Sequence, residues 1–124
     1  MPVTDPNDMS CAFVDAVNAG DLNALLGLYD SNVKYVLRSG KTVDGKSGVR
    51  ETLERLIAAK GEMQINNKYC IVNGEIALVR AEWSFAGIGL DGKPMESHGN
   101  SAEVLRCGSD GIWRYLVDSP FGAD

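Results

Sequence analysis

The sequence predicts one α+β domain, with three helices in its first half packed on one face of a curved, mostly antiparallel sheet built from the second half. Three observations predict it. Up to Gly61 the apolar residues recur at helical spacing, and from Glu62 onward the period becomes two. The second half carries the turns Asn73-Gly74, Asp91-Gly92 and Gly108-Ser109-Asp110-Gly111, each between strand-like runs. No linker, repeat or low-complexity stretch divides the 124 residues, so a single domain spanning residues 1–124 is expected, with its core at about 8–119.

In chain order, Asp5 can cap a helix with Pro6 at its first position, and Met9, Phe13, Ala16 and Val17 make its apolar stripe. Gly20 stops that helix and Asp21 caps a second, with Leu22, Leu25, Leu26 and Tyr29 on one side. A short strand over Val33–Leu37 follows, then a loop from Gly40 to Gly45 with room for a second short strand at Thr42-Val43. The third helix presents Val49, Leu53, Leu56 and Ile57 and ends at Gly61. Four strands complete the chain: Gln64–Val72, Glu75–Phe85, Met95–Cys107 and Ile112–Asp118.

The apolar fraction, 44%, suffices for a core without disulfides or metals. A net charge of −5, with 12 scattered basic residues, offers no concentrated basic surface for nucleic acid or an anionic membrane. No apolar run approaches the ~20 residues of a membrane span. Met1-Pro2-Val3-Thr4-Asp5-Pro6 lacks the pattern of a signal peptide, so the cytoplasm is the expected compartment. Cys11, Cys70 and Cys107 have no CxxC spacing, and Cys70 and Cys107, in strand-like segments, read as small hydrophobes. With His98 the sole histidine, no zinc site is expected, nor any cofactor.

One motif points elsewhere. Gly40-Lys41-Thr42-Val43-Asp44-Gly45-Lys46-Ser47 matches the phosphate-binding loop G-x-x-x-x-G-K-[ST] letter for letter, after a strand and before a helix. Tyr115-Leu116-Val117-Asp118 could serve as the acidic magnesium strand. A nucleotide-binding sheet of that kind is parallel with helical crossovers, whereas hairpins occupy everything after the third helix. Nucleotide binding through Gly40–Ser47 is therefore the minor reading.

The order helix, helix, short strand, helix, long strands resembles the nuclear transport factor 2-like superfamily, in its ketosteroid-isomerase-like or SnoaL-like branch. The likeness lies in Phe13-Val14-Asp15-Ala16-Val17-Asn18-Ala19-Gly20-Asp21 with Leu28-Tyr29, in Val43–Arg50, in Glu103-Val104-Leu105-Arg106 and in Asp110-Gly111-Ile112-Trp113-Arg114. The resemblance implies a cone-shaped barrel, commonly dimeric through its sheet, with a cavity between helices and sheet. The fold hosts isomerases, cyclases, dehydratases, hydrolases and plain binders. Matched by motif, the isomerases' aspartate base falls on Tyr35, their helix-one tyrosine on Phe13, and their protonated aspartate on Glu103. Two of those three groups are missing here.

Turn geometry predicts faces independently of any family. A two-residue turn at Asp91-Gly92 sets Leu90 against Lys93, Arg80 against Glu103 and Glu82 against Ser101. A four-residue turn at Gly108–Gly111 sets Glu103 against Leu116 and Ser101 against Asp118. Arg80, Glu82, Ser84, Ser101, Glu103 and Asp118 then share one face, with Ile76, Leu78, Leu105 and Leu116 toward its other end. Ala77, Val79, Ala81, Trp83, Phe85, Val104, Trp113, Tyr115 and Val117 share the opposite face, with His98 set against Phe85. Either the charged face lines the cavity and the apolar face is a dimer surface, or the apolar face is the core and the charges are solvated. A one-residue bulge would exchange them.

The first assignment gives an acid–base site of Glu103, Asp118, Arg80 and Glu82, with Tyr35 as a hydrogen-bond donor. The ligand-lining residues would be Phe13, Val17, Leu37, Leu56, Ser101, Leu105 and Leu116. The expected ligand is a small apolar or amphipathic organic molecule, turned over by an isomerase, cyclase or dehydratase. The alternatives are a binding module without turnover and a dimeric interaction domain. His98 reads as an interface histidine, and Trp83 and Trp113 as packing anchors.

Overall fold

The structure, a computed structural model, describes residues 2–124. The Asp5 carboxylate accepts the Asn7 N–H at 2.9 Å and starts a 3-10 turn, Pro6–Asp8, that runs into α1 (Met9–Ala19). Helix α1 buries the expected stripe Met9, Phe13, Ala16 and Val17. Asp21 accepts the Ala24 N–H at 3.0 Å and caps α2 (Leu22–Leu26). Tyr29, expected on that helix, instead opens β1 (Tyr29–Val36). The Leu28 carbonyl accepts the Tyr115 N–H at 2.8 Å, so the sheet captures the backbone before another helical turn forms. Next come β2 (Thr42–Asp44), α3 (Gly45–Ala58), β3 (Glu62–Asn73), β4 (Ile76–Ile88), β5 (Pro94–Cys107) and β6 (Trp113–Ser119).

The six strands form one sheet in the order β2-β1-β6-β5-β4-β3. After α3 the chain crosses to the far edge and returns by hairpins until β6 lies beside β1, parallel to it; the other neighbours are antiparallel. The sheet is thus mixed and curved but open, with β2 and β3 as edges, where a cone-shaped barrel was expected. Helices cover its inner face, and Met9, Leu25, Tyr29, Val33, Val49, Leu53 and Leu105 between them are almost fully buried. None of the described helices is long and apolar enough to cross a membrane.

The register differs from expectation at both later hairpins, for one shared reason. Gly89-Leu90-Asp91-Gly92-Lys93 and Gly108-Ser109-Asp110-Gly111-Ile112 fold alike. In each, the last Gly has φ 77° and donates its N–H to the first Gly carbonyl, at 3.0 and 2.9 Å, while the Asp side chain accepts the N–H two residues on. These are three-residue loops, a tight turn closed by a left-handed glycine. Gly89 therefore faces Lys93, so Val79 pairs with Glu103 and Ala81 with Ser101, while Arg80 and Glu82 turn to the outer face.

In the next pair Leu105 faces Tyr115, then a bulge in β6 sets Val104 against Val117 and Glu103 against Asp118. A straight strand cannot send residues three apart, Tyr115 and Asp118, to the same side; the bulge does. The result joins half of each expected face. Ala77, Val79, Ala81 and Phe85 form the core together with Ser101, Glu103, Leu105 and Asp118. Ile76 and Leu78 are outside, with Tyr69 and Ile71.

The Gly40–Ser47 segment spans a turn, the antiparallel edge strand β2 and the first turn of α3. The parallel contact of the sheet, β1 with β6, is not made there. The fold therefore does not supply the parallel-strand setting of a phosphate loop.

The end of α3 meets the sheet closely, with the Ile88 N–H donated to the Ala59 carbonyl at 2.8 Å. A Cβ on Gly61 would lie 2.1 Å from the Ala86 carbonyl oxygen. Gly61→Ala should therefore destabilise the domain by about 1–3 kcal/mol, read as a lower urea midpoint at unchanged m.

Candidate active site

A cavity of ≈ 80 Å³ lies between α1, α3 and the inner face of the sheet. Phe13 and Ser10 line it from α1, Leu56 from α3, Tyr35 from β1, and Met63 and Ile65 from β3. Ala81 and Trp83 come from β4, Ser101 and Glu103 from β5, Tyr115 and Asp118 from β6, and Pro120 from the turn beyond. The walls are apolar; the acids sit together.

Glu103 and Asp118 are direct cross-strand partners, 8% and 5% exposed, a placement that brings Cβ atoms to roughly 4.5–5.5 Å. The Tyr29 hydroxyl donates to Asp118 Oδ2 at 2.6 Å. Tyr35 lies beside Asp118 across the parallel β1–β6 pair. Tyr29 packs on Tyr115 with ring centroids 4.9 Å apart, and Phe13 meets Tyr115 edge-on at 6.1 Å.

No lysine or arginine is among the described residues lining this cavity. Arg80, half-buried on the outer face, donates from Nε to the Ser101 carbonyl at 2.8 Å. Glu82 is exposed and pairs with Lys68 at 2.7 Å. The relief that arginine was expected to give the acids must come from a retained proton. Burial, and then the Asp118 charge, push Glu103 up to about 8. The neighbouring Ser101 hydroxyl, which donates to the Ala81 carbonyl at 3.3 Å, and the more distant Arg80 charge act the other way. Burial pushes Asp118 up to about 6, while the Tyr29 hydroxyl favours its charged form. Burial first, then the Asp118 charge, raise Tyr29, Tyr35 and Tyr115, so these phenols remain hydrogen-bond donors.

The sequence of this chain matches the family model of the SnoaL-like domain over residues 11–115. The chain belongs to that family. No curated protein matches it. Among solved structures, the SnoaL-like domain is similar to a ketosteroid isomerase-like protein from Erwinia carotovora atroseptica, with TM-score 0.79, 16% identity, and 91% of this chain and 89% of that chain covered. It is similar to a conserved protein from Planctomyces limnophilus, with TM-score 0.79, 14% identity, and 93% and 91% covered. It is also similar to a nuclear transport factor 2-like superfamily protein from Salmonella enterica, with TM-score 0.75, 14% identity, and 90% and 84% covered. At such identities the likeness is one of fold.

The SnoaL-like domain brings Glu103, Asp118, Tyr35, Phe13, Leu56 and Ser101 to one cavity. The other residues proposed from sequence lie elsewhere. Arg80 and Glu82 are outside because of the β4–β5 loop, Val17 is in the core beneath α1, and Leu37 is half-buried past the end of β1. Leu105 is buried opposite Tyr115, deeper than the cavity, and Leu116 is half-buried at the β6 bulge. His98 is exposed on the outer face opposite Ser84, not opposite Phe85. Trp113 is a core residue, whereas Trp83 lines the cavity.

Sequence reasoning missed the phenols of Tyr29, which donates to Asp118, and of Tyr115, which lines the cavity beside Phe13. It also missed the turn after β6. The Trp83 indole N–H donates to the Pro120 carbonyl at 2.7 Å, its ring meets Phe121 at 5.4 Å, and the Arg38 guanidinium lies 4.4 Å over Phe121. Those contacts lie beyond the last strand read from the sequence and gave no pattern to detect.

Proposed function

We propose that this SnoaL-like domain abstracts and returns protons next to the carbonyl of a small, largely apolar molecule, the step that isomerases, cyclases and dehydratases share. The observation that carries the reading is the Glu103–Asp118 pair facing one apolar cavity, with a tyrosine on one acid and no lysine or arginine among the described residues lining it. Between about pH 6 and 8 the pair holds one proton. Protonated Glu103 donates a hydrogen bond to the substrate carbonyl oxygen. Charged Asp118, with Oδ2 taken by Tyr29, uses its other oxygen to remove the α-proton and gives it back at the same or another carbon. Tyr35 and Tyr115 stabilise the developing enolate as further donors.

The test is deuterium incorporation into a cyclic ketone such as cyclohexanone in D2O, followed by NMR. Saturable exchange above the buffer rate is expected at pH 7; binding without exchange would contradict turnover. That second outcome suits a non-catalytic binder, which one observation favours: Tyr35 occupies the position matched to the isomerase base.

The outer face supports a second copy of the chain as a partner. Tyr69, Ile71, Ile76 and Leu78 are 42%, 56%, 40% and 40% exposed there, on the face opposite the one assigned to dimerisation from sequence. Leu78→Lys should shift a homodimer toward monomer in sedimentation velocity, with the fold retained. The reading keeps the cytoplasm as compartment, which the free thiols of Cys11, Cys70 and Cys107 suit.

A further inference from the structure

A second hollow adjoins the acid cavity. It lies between the end of α3 and the β4–β5 hairpin, measures ≈ 340 Å³, and shares Tyr35, Leu56 and Trp83 with the inner cavity. Ile88, Leu90 and Met95 give it an apolar rim that is 47%, 102% and 37% exposed. Among its described lining residues the one ionised side chain, Arg55, is engaged with Glu51 at 2.8 Å. This outer hollow therefore suits an uncharged chain or ring.

Size then decides what the two hollows can hold together. A cavity of about 150 Å³ holds a benzene ring, so the ≈ 80 Å³ inner cavity takes only a compact polar head. Anything larger that places a polar group against the acids can extend into the outer hollow along the shared wall of Tyr35, Leu56 and Trp83. That wall is anchored from outside by the Pro120 carbonyl and by Phe121, itself under Arg38.

We infer that the two hollows form one bipartite site for an amphipathic carbonyl compound, with a compact polar head at Glu103 and Asp118, an apolar tail between α3 and the β4–β5 hairpin, and Trp83 in the wall between them as the partition that selects head size. The assignment of the head's carbonyl rests on the proton-transfer reading; the division into head and tail does not.

The test measures affinities by calorimetry for cyclohexanone, for its derivatives carrying an ethyl, butyl or hexyl chain opposite the carbonyl, and for the fused bicyclic ketone decalone, which has as many carbons as the butyl compound. Affinity should rise about two- to fourfold per methylene, as apolar burial requires, and the butyl compound should bind at least about tenfold tighter than decalone, more than one methylene's worth of burial. Trp83→Ala should erase that preference. The rim variant Ile88→Asp with Met95→Asp, at exposed positions where folding is undisturbed, should flatten the series and leave cyclohexanone itself unchanged. A flat series in the natural protein, including one caused by a second copy covering the rim, would overturn the inference. So would a slope that survives the rim variant. Glu103→Gln reads the other claim: it should weaken every ketone by one factor and leave the slope alone. An unchanged slope with no weakening would contradict the proton-transfer reading while upholding the bipartite site.

Discussion

Asp118→Asn should lower the rate of deuterium exchange into a bound ketone by about two to four orders of magnitude, the span that a positioned general base contributes, with ketone affinity changed by only a few fold. The amide has the shape of the carboxylate, and its oxygen can still accept the Tyr29 hydroxyl bonded at 2.6 Å in the natural protein. It cannot accept a proton from carbon. The loss should therefore fall on kcat and not on KM. Removing a fully buried charge should not unfold the domain. An exchange rate equal to that of the natural protein would remove Asp118 from the mechanism, and loss of binding with loss of rate would make it a structural residue.

The second large effect is on stability against pH. The carboxyls of Glu103 and Asp118 are raised from ordinary values of 4.5 and 3.8 to about 8 and about 6. The native state thus keeps protons that the unfolded chain releases, so the contribution of this pair to stability is greatest below about pH 4 and falls as pH rises toward about 8. Both upward shifts act in the same direction, so the contribution of the pair falls throughout that window. Glu103→Gln should remove the later part of the fall, so that the variant is more stable than the natural protein at pH 8 and close to it at pH 5. Urea midpoints at the two pH values, at constant m, measure this. Stability that rises over the window, or a variant that runs parallel to the natural protein, would contradict the buried-pair electrostatics.

The elements were legible because period and turn residues report local conformation directly. Register was less legible, since its parity turns on a single residue. Gly89-Leu90-Asp91-Gly92 and Gly108-Ser109-Asp110-Gly111 share one glycine-spaced pattern and one three-residue geometry, and each moved its hairpin by one position from the simplest reading. The first shift carried Arg80 and Glu82 outside and brought Trp83 to the cavity. The bulge in β6, which no local propensity marks, put Asp118 opposite Glu103.

Glu103 was placed inward by family resemblance alone, and the resemblance sufficed because it is anchored by order along the chain. Tyr29 was read as helical because Leu22, Leu25, Leu26 and Tyr29 fit a helical stripe. Sheet pairing of the backbone beside Tyr115 overrides that spacing. The tyrosine that donates to Asp118 was hidden for that reason.

The most direct measurement is a carboxyl-carbon NMR titration of protein labelled at its Asp and Glu side chains, with Glu103→Gln and Asp118→Asn used to assign the two signals. The proposed mechanism predicts two mutually dependent titrations, both displaced upward, with Glu103 still protonated at pH 7 and Asp118 already charged. Both signals titrating below pH 5, as solvated carboxylates do, would show that no proton is retained in the cavity and that no acid–base pair exists there.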